Sequence, residues 1–122
     1  MEFLQSKELR IGNLLMYKKG EIIDYCEVKS ISGESLSLFI NGSLWDGFEI
    51  SLLSPIPLTE EWLLKFGFKE LGDYTFYLGP IKIHHRKRGF VLAKRYSDIL
   101  FVHSIQNLYF CLTQKELSYD DR

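Results

Sequence analysis

The sequence is poor in cysteine. Cys26 and Cys111 are the only two in 122 residues, and neither belongs to a Cys-x-x-Cys pair. A zinc knuckle or a dithiol redox motif is therefore excluded, and two lone thiols suit a reducing compartment. No apolar run approaches the ~20 residues that a membrane-crossing helix needs. The start, Met1-Glu2-Phe3-Leu4-Gln5, has no basic stretch leading into an apolar one, so no signal peptide is expected. The expectation is a cytoplasmic protein without membrane contact. A phosphate-cradling glycine loop is missing too: Gly67, Gly72, Gly79 and Gly89 are spaced as turn glycines, too far apart to wrap one phosphate. The formal net charge is −1, which by itself selects no polyanionic or polycationic partner.

Aromatic side chains, by contrast, are plentiful. Nine Phe, seven Tyr and two Trp make up 15% of the chain, enough to build a core in a domain of this size. Charge is unevenly placed. From Glu21 to Glu61 there are eight acidic residues and one basic one, Lys29, whereas from Lys82 to Arg95 there are six basic residues and no acidic one. The chain is polarised along its length.

Residues 9–57 read as short strands and turns. "LRIGNLLMY" (9–17) is apolar with a bend or bulge at Gly12-Asn13, and "KKG" (18–20) is a turn. "EIIDYCEVKSI" (21–31) alternates incompletely, so either face suits burial unless a bulge intervenes. "LSLFI" (36–40) runs into Asn41-Gly42, a strong hairpin signal. A second turn is expected at Asp46-Gly47, followed by a strand over 48–53. Five short strands with turns at this spacing suggest a small SH3-like β-barrel. In "SPIPLTEEWLLKFGF" (54–68), Thr59 is a natural N-cap and Glu60-Glu61 suit the positive end of the helix dipole. Leu58 and Leu63 have the spacing of a hydrophobic staple, and Gly67 is a left-handed stop. "YTFYL" (74–78), "IKIHHR" (81–86), "FVLAKRY" (90–96) and "DILFV" (98–102) form an antiparallel meander. In "VHSIQNLYFCLT" (102–113), Val102, Ile105, Leu108, Tyr109 and Leu112 fall on one face of a core helix. His103 is expected at the surface or half-buried near its start, and Cys111 as an inert buried thiol.

Three of these segments, "LRIGNL" (9–14), "PIPLTEEWLLKFGF" (55–68) and "VHSIQNLYFCLT" (102–113), together resemble a family of small uncharacterised proteins recurrent in gut Bacteroidales genomes and their phages or prophages. In that family the last motif often has Leu where Ile105 stands and continues with Gly where Gln114 stands. The resemblance spans the chain and implies a bacterial or phage cytoplasmic protein. It carries no catalytic or binding residue with it.

Candidate chemistry is sparse. His84 and His85 are adjacent on a strand and point to opposite faces, so one metal ion does not readily take both. Neither cysteine is framed by a nucleophile motif. Glu60-Glu61 and Asp120-Asp121 are accounted for by a helix start and a solvated tail. What remains is a basic hairpin of Lys82, His84, Arg86, Lys87, Arg88, Lys94 and Arg95, with Phe90 or Tyr96 placed to stack on bases. The same cations would also serve to meet acidic surface, within the chain or head-to-tail between copies, since −7 lies outside residues 82–95 and +6 within them.

The expected architecture is α+β. Residues 1–57 form a small barrel-like subdomain. Residues 58–122 supply a short helix, an antiparallel β-meander and a C-terminal helix, and share a core with the first part. No enzyme activity and no cofactor or metal is expected. The expected function is a non-enzymatic binding or accessory protein of a bacterial or phage genome. The alternative is a nucleic-acid-binding protein that uses the 82–95 hairpin.

Overall fold

A computed structural model describes residues 4–87, 89–92 and 98–118. The described chain is α+β, mostly antiparallel strands with two short α-helices. It divides into two compact units, Met1–Ile56 and Pro57–Arg122.

In the first unit, β1 (Leu14–Lys19), β2 (Ile22–Ser32), β3 (Ser35–Ile40), β4 (Ser43–Glu49) and β5 (Leu53–Pro55) form one sheet. Its order is β4-β3-β2-β1-β5, so β4 and β5 are its edges. At the β3–β4 hairpin Asn41 and Gly42 have φ of 50° and 82°. Two consecutive left-handed residues match the twist of the flanking strands, the geometry that Asn-Gly favours. The inner face carries Leu15, Cys26, Val28, Leu36, Leu38 and Ile40, closed by Leu9, Ile50 and Leu53. Each such aliphatic side chain contributes about 1.5–3 kcal/mol when removed from water.

Two bulges decide which side chains reach that face. The register of β2 on β3 shifts between Val28 and Ser30. Lys29 is thereby inserted, and Ile31 returns to the core side that Val28 already occupies. This resolves the incomplete alternation of β2. The second bulge corrects the expected turn at Asp46-Gly47. β4 runs straight through it: Leu38 pairs with Trp45 and Leu36 with Phe48, leaving Asp46 and Gly47 opposite Ser37. Gly47 takes φ of 68°, and Asp46 Oδ1 accepts from Ser37 Oγ at 2.7 Å.

Other expected boundaries also move. Residues 9–13 are not strand: Gly12 turns at φ 99° and fully buried Asn13 accepts from the Arg10 N–H at 2.7 Å. Lys18 and Lys19, expected in a turn, continue β1 opposite Ile23 and Ile22. Ile50–Leu52 is a 3-10 turn rather than strand.

The second unit holds β6 (Lys69–Glu70), β7 (Thr75–Leu78), β8 (Ile81–Arg86), β9 (Gly89–Leu92) and β10 (Asp98–Ile99) in the order β10-β9-β8-β7-β6. Helix α1 (Glu60–Lys65) starts where its cap directs, with Thr59 Oγ1 accepting from the Trp62 N–H at 3.2 Å. It stops at Gly67, φ 92°, with the Phe68 N–H donating back to the Leu63 carbonyl at 3.0 Å. The Leu58 N–H donates to the Leu100 carbonyl at 3.0 Å, and Pro57 bridges Phe101, which joins the lead-in of α1 to that of the second helix. Helix α2 (Val102–Thr113) buries Val102, His103, Ile105 and Gln106. The expected stripe is thus correct at its N-terminal end only. Leu108 and Tyr109 are half-buried and Leu112 is exposed.

Candidate nucleic-acid interface

The register of the second sheet sorts its side chains into two faces. Phe76, Ile81, Ile83, Phe90 and Ile99 are buried, and His85 sits on the same side, paired with Phe90. The opposite side carries Lys69, Thr75, Tyr77, Lys82, His84 and Arg86. Lys69 pairs with Tyr77, and Tyr77 pairs with Lys82. One exposed tyrosine ring is therefore flanked across the strands by two exposed lysines. Directly opposed residues on neighbouring strands lie about 4.5–5.5 Å apart at Cβ. Next along β8, half-buried His84 meets Thr75, its Nδ1 lying 3.1 Å from Thr75 Oγ1. Exposed Arg86 and Lys87 continue the cations into the turn. Among the described strand residues, Asp98 is the one acid on this side; Glu70 pairs with Phe76 and belongs to the other.

Beside Arg86 and Lys87 lies a surface concavity of 440 Å³, lined also by Tyr74 and His85. Tyr74 is 64% exposed and holds φ of 65°, a left-handed conformation that costs about 1–2 kcal/mol outside glycine. Its carbonyl accepts from the His85 N–H at 2.7 Å, and the Leu71 N–H donates to the Thr75 carbonyl at 2.8 Å. These two bonds hold the turn in its strained form.

Of the residues predicted for the interface, Lys82, His84, Arg86 and Lys87 stand together on the sheet side and turn just described. Arg88, Lys94 and Arg95 lie outside the described residues, as does Tyr96. Phe90 is corrected: it is 4% exposed and stacks on His85, ring centroids 4.3 Å apart at 12°. It is core and offers no base-stacking surface. The exposed ring on this side that sequence reasoning missed is Tyr77. Its alternation in "YTFYL" was visible, but its flanking by Lys69 depends on a two-residue strand with no pattern of its own.

The other titratable candidates separate. His84 and His85 do point to opposite faces, and His85 Nδ1 lies 2.6 Å from Glu60 Oε2. His103 is corrected from surface or half-buried to buried, 3% exposed and stacked parallel on Phe101 at 5.7 Å. Cys111 is corrected from buried to exposed. Cys26 is the inert thiol. Burial pushes it up from 9.0 to about 12, the Asp24 carboxylate adds to that, and the Leu15 backbone acts the other way. Among the described residues no three His, Cys, Asp or Glu side chains gather as a metal site would require, and no helix is long and apolar enough to cross a membrane.

Comparison of the chain with family models, with curated proteins and with solved structures returns no match.

Proposed function

We propose that this chain is a non-enzymatic binding protein whose ligand is single-stranded nucleic acid, held on the open side of the second sheet. The observation that carries the reading is the cross-strand row Lys69–Tyr77–Lys82. An exposed aromatic ring on a sheet surface stacks on any unpaired base, and flanking cations neutralise the phosphates on either side. Bases stacked within a duplex cannot present a face to Tyr77, which favours single strands. Arg86 and Lys87 extend the cationic track into the turn. We read the first sheet, in the same proposal, as a small SH3-like barrel. Four meandering strands, a 3-10 turn and a fifth strand returning to β1 support that reading. The setting we propose is the cytoplasm of a bacterium, as an accessory protein of its genome or of a resident phage.

The test is fluorescence anisotropy with labelled single-stranded DNA, RNA and duplex DNA at low and near-physiological salt. Single strands are expected to bind with an affinity that falls as salt rises. Tyr77→Ala is expected to weaken binding without changing the salt slope. Lys69→Glu/Lys82→Glu is expected to reduce both. No binding at low salt, or equal binding by the Tyr77→Ala variant, overturns the reading and leaves the cations as a surface for an acidic protein.

A further inference from the structure

The inner face of the first sheet holds a pocket of 320 Å³ whose lining includes Tyr17, Asp24, Ile40, Asn41, Trp45 and Phe48. It is independent of the nucleic-acid reading. We propose that this pocket is a binding site for an alkylated ammonium group, with Tyr17, Trp45 and Phe48 as its aromatic walls and the Asp24 carboxylate as its counter-charge.

The placement of the three rings follows from register. Leu36 and Leu38 point into the core. Phe48 and Trp45 pair with them and so share that side. Residues three apart on a regular strand face opposite ways. Trp45 and Phe48 agree only because the Asp46-Gly47 bulge lies between them, and re-aiming a side chain is what such bulges do next to sites. Tyr17 follows Leu15 by two and pairs with Asp24, which precedes Cys26 by two. Tyr17 and Asp24 are thereby inward as well. A sheet interior needs neither a carboxylate nor a tryptophan that remains 54% exposed. Core packing accounts for Leu36 and Leu38 but not for these two.

The geometry is that of a cage. Tyr17 and Phe48 meet edge to face at 87°, centroids 5.1 Å apart, and so form two perpendicular walls. Ile40, 7% exposed, contributes buried apolar surface. Asn41 Nδ2 donates to Asp24 Oδ1 at 3.2 Å, and Asn41 is itself fixed in the hairpin turn at φ 50°. The carboxylate is thus oriented before any ligand arrives. Among the described residues the pocket lining contains no Lys, Arg or His. Its volume falls within the range of about 300–1,000 Å³ common for small-molecule sites.

Aromatic faces attract cations through the ring quadrupole, most strongly where the cation is desolvated. A bare ammonium or a metal ion would have to exchange strong hydration for ring faces and one carboxylate. An alkylated ammonium has apolar methyl groups around its charge and gives up less water. It suits rings, an aliphatic side chain and a carboxylate together. Such a group comes either from a free small molecule or from a methylated lysine of another protein.

The experiment uses the full chain and follows the Trp45 indole N–H and the Ile40 methyl signals by NMR. Three probes are titrated separately: choline, a short peptide containing trimethyllysine, and 3,3-dimethylbutan-1-ol, the neutral carbon analogue of choline. Saturable shifts are expected with choline or with the peptide, and at least about tenfold weaker binding of the alcohol, since it lacks the charge the rings attract. Shifts with choline assign a free metabolite, and shifts with the peptide alone assign a protein ligand. Asp24→Asn is expected to weaken ammonium binding by about tenfold with unchanged melting. Absence of saturable shifts with both ammonium probes overturns the proposal. So does equal binding of the alcohol, which needs no variant and shows a merely apolar pocket.

Discussion

Glu60 Oε2 and His85 Nδ1 lie 2.6 Å apart and tie the first turn of α1 to β8. The same imidazole stacks on Phe90, so one ring makes a polar and an apolar contact on the buried side of the sheet. The two side chains are 43% and 35% exposed, and solvent screens a pair so placed. Glu60→Gln is expected to cost under about 1 kcal/mol, because the amide oxygen still accepts from the ring. His85→Ala is expected to cost more, since the stack goes with it. Urea unfolding of both variants and their double mutant gives the coupling. A coupling above about 2 kcal/mol would mean that the pair is more desolvated than its exposure shows.

Replacement of Ile105 by Asp is expected to unfold the chain, while Leu108→Asp is expected to leave it folded with a lowered melting temperature. Ile105 is fully buried on α2, and an unpaired carboxylate there has no water to keep. Leu108 is half-buried and can turn a carboxylate outward. Circular dichroism melts distinguish the outcomes. Equal loss in both variants would place the core stripe further along the helix than Val102–Gln106.

The contrast between these leucine and isoleucine positions shows what was readable in the sequence and why. Signals confined to a few neighbouring residues were readable. Thr59 as cap, Gly67 as stop, Asn41-Gly42 as hairpin and the limits of α2 all depend on the backbone within one turn. The depth of burial along α2 depends on what packs over each part, and periodicity carries no record of that. Bulges were unreadable for a related reason: Asp46-Gly47 has the composition of a turn, and only pairing with Ser37 shows that the strand continues. The candidate sites inherit the same limit. The cations of 82–87 were visible as a run, whereas Lys69 beside Tyr77, and Trp45 beside Phe48, exist only once the register is set.

Gln114 ends α2 at φ 60° and ψ 22°, a left-handed cap that glycine adopts without steric cost. Its side-chain Nε2 lies 3.5 Å from the Phe110 and Cys111 carbonyls, at the long limit for hydrogen bonds. Relief of the Cβ strain therefore outweighs their loss. Gln114→Gly is expected to stabilise the chain by about 0.5–1 kcal/mol. Denaturant midpoints at constant slope provide the check, and a destabilised variant would show that the glutamine's contacts dominate.

Cys26 and Cys111 are expected to differ sharply towards a thiol reagent. Cys111 is exposed and Cys26 is buried, so at pH 8 the native protein should label once, and unfolded protein twice. The pH dependence follows from Cys26, raised from 9.0 to about 12 in the folded chain. Well below pH 9 the thiol is protonated in both the folded and the unfolded state and contributes no slope. Between about 9 and 12 the unfolded state releases the proton while the folded state retains it, so stability falls as pH rises. Cys26→Ala removes that titration. Its unfolding free energy should therefore decline less between pH 9 and 11 than that of the unsubstituted chain, whatever its absolute loss from the small cavity. Parallel declines would mean that other groups carry the alkaline loss. Rapid double labelling of the native protein at pH 8 would mean that the sheet opens at β1 and β2 far more readily than its buried core implies.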